Sequence, residues 1–169
     1  MGEALVGESS DPDFMHEVAN TPRGRGILSC IQCGRCTGSC PVSRVTDEHN
    51  PRKLVETIIL GLRKEVLLGD LPWYCLSCFT CLDRCPQGGD VGETMFAIRN
   101  LAAKEGNIPE GIIVQAKNLF DTGRVVTPTR MALIRRERYG LRKDISVGLD
   151  EAQRILKKTA FVELINKKV

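Results

Sequence analysis

The sequence predicts a mainly α-helical fold, and three observations carry the prediction. Apolar residues recur at three- and four-residue intervals in five segments of the 169-residue chain, nothing alternates convincingly with period two, and several segments begin at a cap or proline and stop at a glycine.

In chain order, residues 1–27 read as an N-terminal extension carrying five acids against Arg23 and Arg25. It opens with no basic region and no apolar run long enough for a signal peptide, so export is not expected. A helix is predicted from Asn50, an N-cap ahead of Pro51, through Leu54, Val55, Ile58, Ile59, Leu62 and Val66 to about residue 68, where Gly69 ends it. After Pro86 the glycines at 88 and 89 break the chain. Asp90 with Glu93 three residues on gives a capping-box-like start to a helix through Val91, Met95, Ile98, Leu101 and Ala102. The run from Gly88 to Gly92 lacks Gly-Lys-Ser/Thr and a preceding strand, so it reads as a turn and not a phosphate loop. Pro109 and Glu110 open a helix over 110–121 that Gly123 stops. Met131, Leu133 and Ile134 with Arg135, Arg136 and Arg138 predict a brief basic helix ending near Gly140. A last helix follows Asp150, with Ala152, Ile155, Leu156 and Phe161 in phase.

Composition narrows the function classes. Hydrophobic residues make up 42% of the chain but aromatics only 5%, which predicts a modest aliphatic core in need of other support. A formal charge of +3 is too weak for a nucleic-acid binder, although residues 130–169 carry eleven bases against five acids. The best membrane candidate, residues 54–68, contains Glu56, Arg63, Lys64 and Glu65, so no span is expected. A cytoplasmic, reducing location follows as the expectation, and there clustered cysteines bind metal more often than they form disulfides.

The eight cysteines lie at 30, 33, 36 and 40 and at 75, 78, 81 and 85. Both runs read Cys-x2-Cys-x2-Cys-x3-Cys-Pro, and a shift of 45 residues superimposes four cysteines and a proline, which marks an internal duplication. Three thiolates from one tight loop reach three irons of a [4Fe-4S] cubane, and in this motif class the fourth cysteine ligates the other cluster. Cluster one is thus expected on Cys30, Cys33, Cys36 and Cys85, and cluster two on Cys75, Cys78, Cys81 and Cys40. Two zinc sites would also use all eight cysteines, but zinc favours separated Cys-x2-Cys pairs. Leu76, Phe79 and Leu82, with Trp73 and Tyr74 beside them, predict a better-shielded second cluster of lower potential, with Arg84 acting against that. His16 and His49, the only histidines, are read as solvated or capping residues.

These motifs, the helix after Asn50-Pro51 and the downstream Arg135-Arg136-Glu137-Arg138-Tyr139-Gly140-Leu141 resemble the C subunit of heterodisulfide reductase, over about residues 28–145. The cysteine pattern alone is shared by the wider α-helical ferredoxin group. The resemblance implies an α-helical ferredoxin-like domain over 28–105 around two [4Fe-4S] clusters, followed by a helical extension over 106–169 for partner docking. By their charge alone, Arg124, Arg130, Arg135, Arg136 and Arg138 read either as a docking surface for an acidic partner or, as charge runs more often do, as a solvated helix face. It also implies a cytoplasmic relay. Electrons pass from the A subunit of heterodisulfide reductase, which carries flavin and iron–sulfur groups, to the B subunit, whose noncubane clusters serve reduction of the coenzyme M–coenzyme B heterodisulfide. The setting is a bifurcating methanogenic complex fed by a hydrogenase or formate dehydrogenase. Where relatives often read Thr-Gly-Phe near the C-terminus, this chain has Thr159-Ala160-Phe161. No paired carboxylate, nucleophile–base set or flavin fingerprint occurs, so no substrate site is expected on this chain. The competing readings are a diffusible dicluster ferredoxin and a relay protein of a sulfur-oxidising, succinate or glycolate oxidase type of enzyme.

Overall fold

The computed structural model describes residues 10–142 and 148–166. The signal-peptide expectation for the extreme N-terminus, the resemblance over 143–145 and the tail residues Lys167 and Lys168 lie outside the described residues. Within them every regular element is helical and there is no strand. The chain divides into two compact units, Met1–Asn107 and Ile108–Val169.

In the first unit α1 (Phe14–Ala19) leads through a 3₁₀ turn, Arg25–Ser29, into the first cysteine run, which carries the short α2 (Arg35–Ser39). Two helices follow, α3 (Pro51–Ile59) and α4 (Arg63–Leu67). A second 3₁₀ turn, Leu71–Tyr74, then precedes α5 (Thr80–Arg84) in the second run and the long α6 (Val91–Lys104). Phe14, Val18 and Ile27 pack with Leu54, Val55 and Ile58 of α3, Val66 and Leu67 of α4, and Met95, Ile98 and Ala102 of α6. The acidic N-terminal segment therefore contributes Phe14, Val18, Ala19 and Ile27 to the core. No helix is expected there from the sequence, because six residues are too few to show a period.

Both predicted caps are present. Asn50 Oδ1 accepts from Lys53 N at 3.0 Å, and Asp90 Oδ1 accepts from Glu93 N at 2.8 Å. The reciprocal half of the second box is absent, because the Glu93 carboxylate pairs with Arg23 at 2.6 Å instead. The predicted helix over 51–68 breaks at residues 60–62. Gly61 adopts φ +72° and its carbonyl accepts from Asp11 N at 2.8 Å, so the segment entering α1 crosses the chain there and turns α4 away from α3.

The second unit holds α7 (Glu110–Thr122), α8 (Arg130–Arg138), α9 (Leu149–Leu156) and α10 (Phe161–Asn166). Gly123 ends α7 at φ +69°, as predicted, and the Thr129 hydroxyl caps α8. The single last helix of the sequence reading is two. Thr159 Oγ donates to Leu156 O and accepts from Phe161 N, closing α9 and opening α10. Gln153 Nε2 donates to Phe120 O at 2.9 Å and ties α9 to α7. No described helix is long and apolar enough to cross a membrane.

Candidate metal centres

The duplication seen in the cysteine spacing extends to the backbone. Helices α2 and α5 are related by the same 45-residue shift and pack against each other. Cys30 and Cys75 leave their 3₁₀ turns extended, at φ −72° and −65°. Gln32 and Ser77 share φ near +55°, Gly34 and Phe79 are both left-handed, and Cys40 and Cys85 end their helices at φ −72° and −75°. Each run thus winds through two left-handed residues, which curls three cysteines of a short segment around one space.

Two small cavities occupy those spaces. The first is lined by Cys75, Cys78 and Cys81 with Cys40 from the other run; the second by Cys30, Cys33 and Cys36 with Cys85. Val91, at the start of α6, lines both and is their common wall. All eight cysteines are free; Cys40 is buried, Cys33 and Cys78 are exposed and the rest are half-buried. Among the described residues no three His, Cys, Asp or Glu side chains close on a single point as ligands of one ion do.

A β-carbon at Gly92 would lie 3.5 Å from Cys81 Sγ and 3.0 Å from the Phe79 ring, and one at Gly89 would lie 3.4 Å from Cys85 Sγ. One at Gly26 would lie 2.4 Å from Asp90 N, so the chain before the first run presses directly on the start of α6. The close neighbour at Gly92 is the Phe79 ring and at Gly89 it is Gly26 O, at 3.1 Å, so the turn read over residues 88–92 has a second use, invisible in the sequence, in close packing.

Donors reach several sulfurs. Gln32 Nε2 lies 3.5 Å from Cys30 Sγ and Ser77 N lies 3.4 Å from Cys75 Sγ. The Thr80 hydroxyl, 3.5 Å from Cys78 Sγ, accepts a hydrogen bond from the thiol or donates one to the thiolate, and it lowers the Cys78 pKa. Burial pushes Cys81 up to about 11 and raises Cys36 as well, so these thiols ionise only when a cation or cluster replaces the proton. Thr37 Oγ donates to Asn50 Oδ1 at 2.7 Å and accepts from Arg52 N at 2.9 Å, which fastens the first run to the start of α3.

The surroundings of the two cavities differ. Val42, Phe79, Val91 and Met95 wall the Cys75 side, whereas Arg35, Arg52, Gln32 and Gln87 border the Cys30 side. Of the predicted cover, Leu76 and Phe79 line the Cys75 cavity, Leu76 with 69% of its surface exposed, whereas Tyr74 is exposed and does not line it. His49 departs from its sequence reading too. It is 1% exposed, it lines the Cys75 cavity, and its Nδ1 must carry the proton to donate to Leu71 O at 3.1 Å. Burial lowers its pKa and keeps the ring neutral. His16 is exposed, as predicted. Arg99 of α6 has no precedent in the sequence reading. Its guanidinium donates to Pro72 O, Cys75 O and Ser77 Oγ and lies over the Trp73 and Phe96 rings.

Four thiols around a small, largely apolar space is a donor set that fits an iron–sulfur cluster. Comparison with known proteins agrees. The family described as a 4Fe-4S dicluster domain matches residues 26–89. The chain is 32% identical to the iron-sulfur C subunit of the CoB–CoM heterodisulfide reductase of Methanopyrus kandleri, over 94% of this chain and 88% of the relative. It is 33% identical to the C2 subunit of the H(2)/formate:CoB-CoM heterodisulfide,ferredoxin reductase of Methanococcus maripaludis, covering 95% and 94%. It is 34% identical to a protein of Archaeoglobus profundus described as like the C subunit of heterodisulfide reductase, covering 95% and 89%. Likeness at this level over nearly the whole of each chain, joined to a duplicated cysteine fold, makes this protein a two-cluster [4Fe-4S] electron-transfer protein that belongs to the family of heterodisulfide reductase C subunits.

Proposed function

We propose that this chain is the relay component of a heterodisulfide reductase-type complex. It takes electrons from the flavin and iron–sulfur protein that forms the A subunit and delivers them to the B subunit, where the coenzyme M–coenzyme B heterodisulfide is reduced. The complex is flavin-based and electron-bifurcating, fed by a hydrogenase or formate dehydrogenase. The observation that carries the reading is the crossed pair of cavities, each bordered by three cysteines of one run and the last of the other, with one residue between them.

In the proposed ligation Cys30, Cys33, Cys36 and Cys85 hold one cluster, and Cys75, Cys78, Cys81 and Cys40 hold the other. A bound [4Fe-4S] group supplies a site that accepts and releases one electron. The chain's own residues set the conditions for that. Ser77 N–H and the Gln32 amide donate toward cysteine sulfurs, which favours added negative charge. Val42, Phe79 and Met95 hold water away from the Cys75 set and oppose added charge, while Arg35 and Arg52 favour it at the Cys30 set. The Arg99 cation on the Cys75 loop acts against this, and on balance the Cys75 set should hold the lower-potential centre. The crossing also makes each group a link between segments about 45 residues apart, so loss of one loosens both.

The test is anaerobic purification of the native complex, mass-spectrometric identification of its components, and an iron and sulfide count on this chain. About eight irons alongside a flavoprotein and a partner with a Cys-Cys-Gly motif is the expected result. About two zincs and no iron would overturn the reading. For the ligation, Cys85→Ala should remove the electron paramagnetic resonance signal of the Cys30 set first. Loss of the Cys75 signal instead would reverse the assignment.

A further inference from the structure

We infer that Arg35, Arg44 and Arg84, with the hydroxyls of Ser39 and Thr80, form the dock for an acidic segment of the protein that exchanges electrons with this chain. The inference rests on the electron-relay reading above and adds where the partner sits and what chemistry it presents.

These five residues line one open groove. It lies across the pairing of α2 and α5, and four of its residues are equivalents under the duplication: Arg35 matches Thr80, and Ser39 matches Arg84. All three arginines are exposed. None has a carboxylate partner among the described residues, whereas Arg23, Arg52, Arg63 and Arg154 each pair with one. Three unneutralised guanidinium groups around one groove repel one another, and nothing in the fold repays that repulsion. An anion arriving from outside does, and the guanidinium fork matches a carboxylate in two-point contact.

Position selects an acidic protein segment over a small anion. Arg35 lines both this groove and the Cys30 cavity. Thr80 lines the groove and places its hydroxyl 3.5 Å from Cys78 Sγ, at the edge of the Cys75 cavity. The groove thus borders both cysteine sets. Electron transfer weakens steeply with distance, so a partner seated here has short routes to either centre, whereas a small anion filling the groove would hold it off. Positive charge around the seat also speeds encounter with an acidic surface.

The test uses the whole complex. Arg35→Lys, Arg44→Lys and Arg84→Lys variants, with charge retained, are treated in the native complex with a carbodiimide, which joins an amine to a carboxylate at zero length. Coupling from at least one of the three positions to an Asp or Glu of another protein of the complex is the expected result. In parallel, holo chain carrying Arg35→Gln, Arg44→Gln and Arg84→Gln together is bound to the remainder of the complex. At low salt its association rate should fall at least about tenfold, with the difference fading at about 1 M salt. Unchanged iron content certifies the fold; should iron be lost, the lysine variants alone decide. Lys64→Gln, at an exposed cation of α4 outside the groove, serves as the comparison and should bind as the unaltered chain does. No coupling outside the chain, with an unchanged association rate, would overturn the dock. In that event, cluster signals of the unaltered chain that still respond to the donor leave the relay reading standing. Signals that do not respond in any variant would bring down the relay reading and the dock with it.

Discussion

Replacing Arg99 tests whether α6 holds the second cysteine loop. Its Nε donates to Pro72 O at 2.9 Å, Nη1 to Ser77 Oγ at 3.2 Å and Nη2 to Cys75 O, while the guanidinium lies 5.7 and 5.9 Å from the Trp73 and Phe96 ring centres. Arg99→Met keeps the apolar stem and removes the donors. Bonds from a charged donor are worth about 1.5–3 kcal/mol each, and each ring contact about 0.5–1. Neighbouring losses do not add in full, and the freed carbonyls regain some bonding from water, so a net cost of about 3 kcal/mol is expected. The loop carries Cys75 and Cys78, so the cost should appear as easier opening of that cluster site. At about 1.4 kcal/mol per factor of ten, iron release to a chelator under anaerobic conditions should run on the order of a hundredfold faster from the Cys75 set. Loss of the positive charge should also lower that centre's potential, which electron paramagnetic resonance during redox titration reads out. Arg99→Lys should restore most of the potential and only part of the retention, because it keeps the charge but loses the fork. Release and potential both unchanged in Arg99→Met would refute the reasoning.

Two further outcomes follow from the same geometry. Gly61→Ala separates the predicted continuous helix from the observed break. In a helix interior the change would stabilise by about 1 kcal/mol, whereas at φ +72° with a β-carbon 2.3 Å from Asp11 O it should cost about 2–3 kcal/mol. A raised midpoint in anaerobic thermal unfolding of the holo chain would contradict the structure. The second outcome concerns pH. Burial raises Cys36 and holds Cys81 protonated up to about 11, so assembling clusters on the apo chain must expel those protons. Reconstitution with iron and sulfide should therefore improve from about pH 6.5 to about 8.5 and release protons into a weak buffer, and a yield that falls with pH would count against it. Any folded apo chain follows the opposite trend. Its stability should drop between about pH 9 and 11, where unfolded thiols ionise and the buried ones cannot.

The sequence shows its helices where period and punctuation coincide. Asn50-Pro51, Asp90 and Gly123 each announce a boundary that the backbone respects, because caps and stops act within four residues. The cysteine runs are legible for a related reason: spacing along one short loop fixes which sulfurs share a space. What stays hidden depends on contacts between distant segments. Gly61 looks like a tolerated helix glycine until Asp11 is seen crossing it. His49 looks solvated because Leu71, the partner that satisfies it in the interior, lies 22 residues away. Arg99 sits one residue after the buried Ile98, and nothing local ties it to carbonyls 24 and 27 residues earlier. Gly89 and Gly92 read as turn formers, and their use in close packing appears only once Gly26 and the Phe79 ring are placed beside them.

The duplication is least faithful at Phe79, and that departure bears on why the two centres differ. Its equivalent in the first run is Gly34, for which φ +78° costs nothing, yet Phe79 accepts φ +59°. A left-handed non-glycine residue costs about 1–2 kcal/mol. The ring offsets this by stacking on Phe96 at 6.0 Å and 21°, an arrangement worth about 0.5–1.5 kcal/mol beyond its buried area. Phe79→Gly copies the first run's solution, relieves the backbone and removes the ring together, and so should change global stability by less than about 2 kcal/mol. The cavity should register it more strongly. Phe79 lines the Cys75 side, and with the ring gone water reaches that centre and solvates the charge added on reduction. The potential of the Cys75 centre should rise toward that of its neighbour, while the Cys30 centre, whose walls do not include Phe79, stays put. If redox titration of the variant found both potentials unmoved, the apolar wall would not be what sets the two centres apart, and the arginines beside the Cys30 set would have to account for the difference alone.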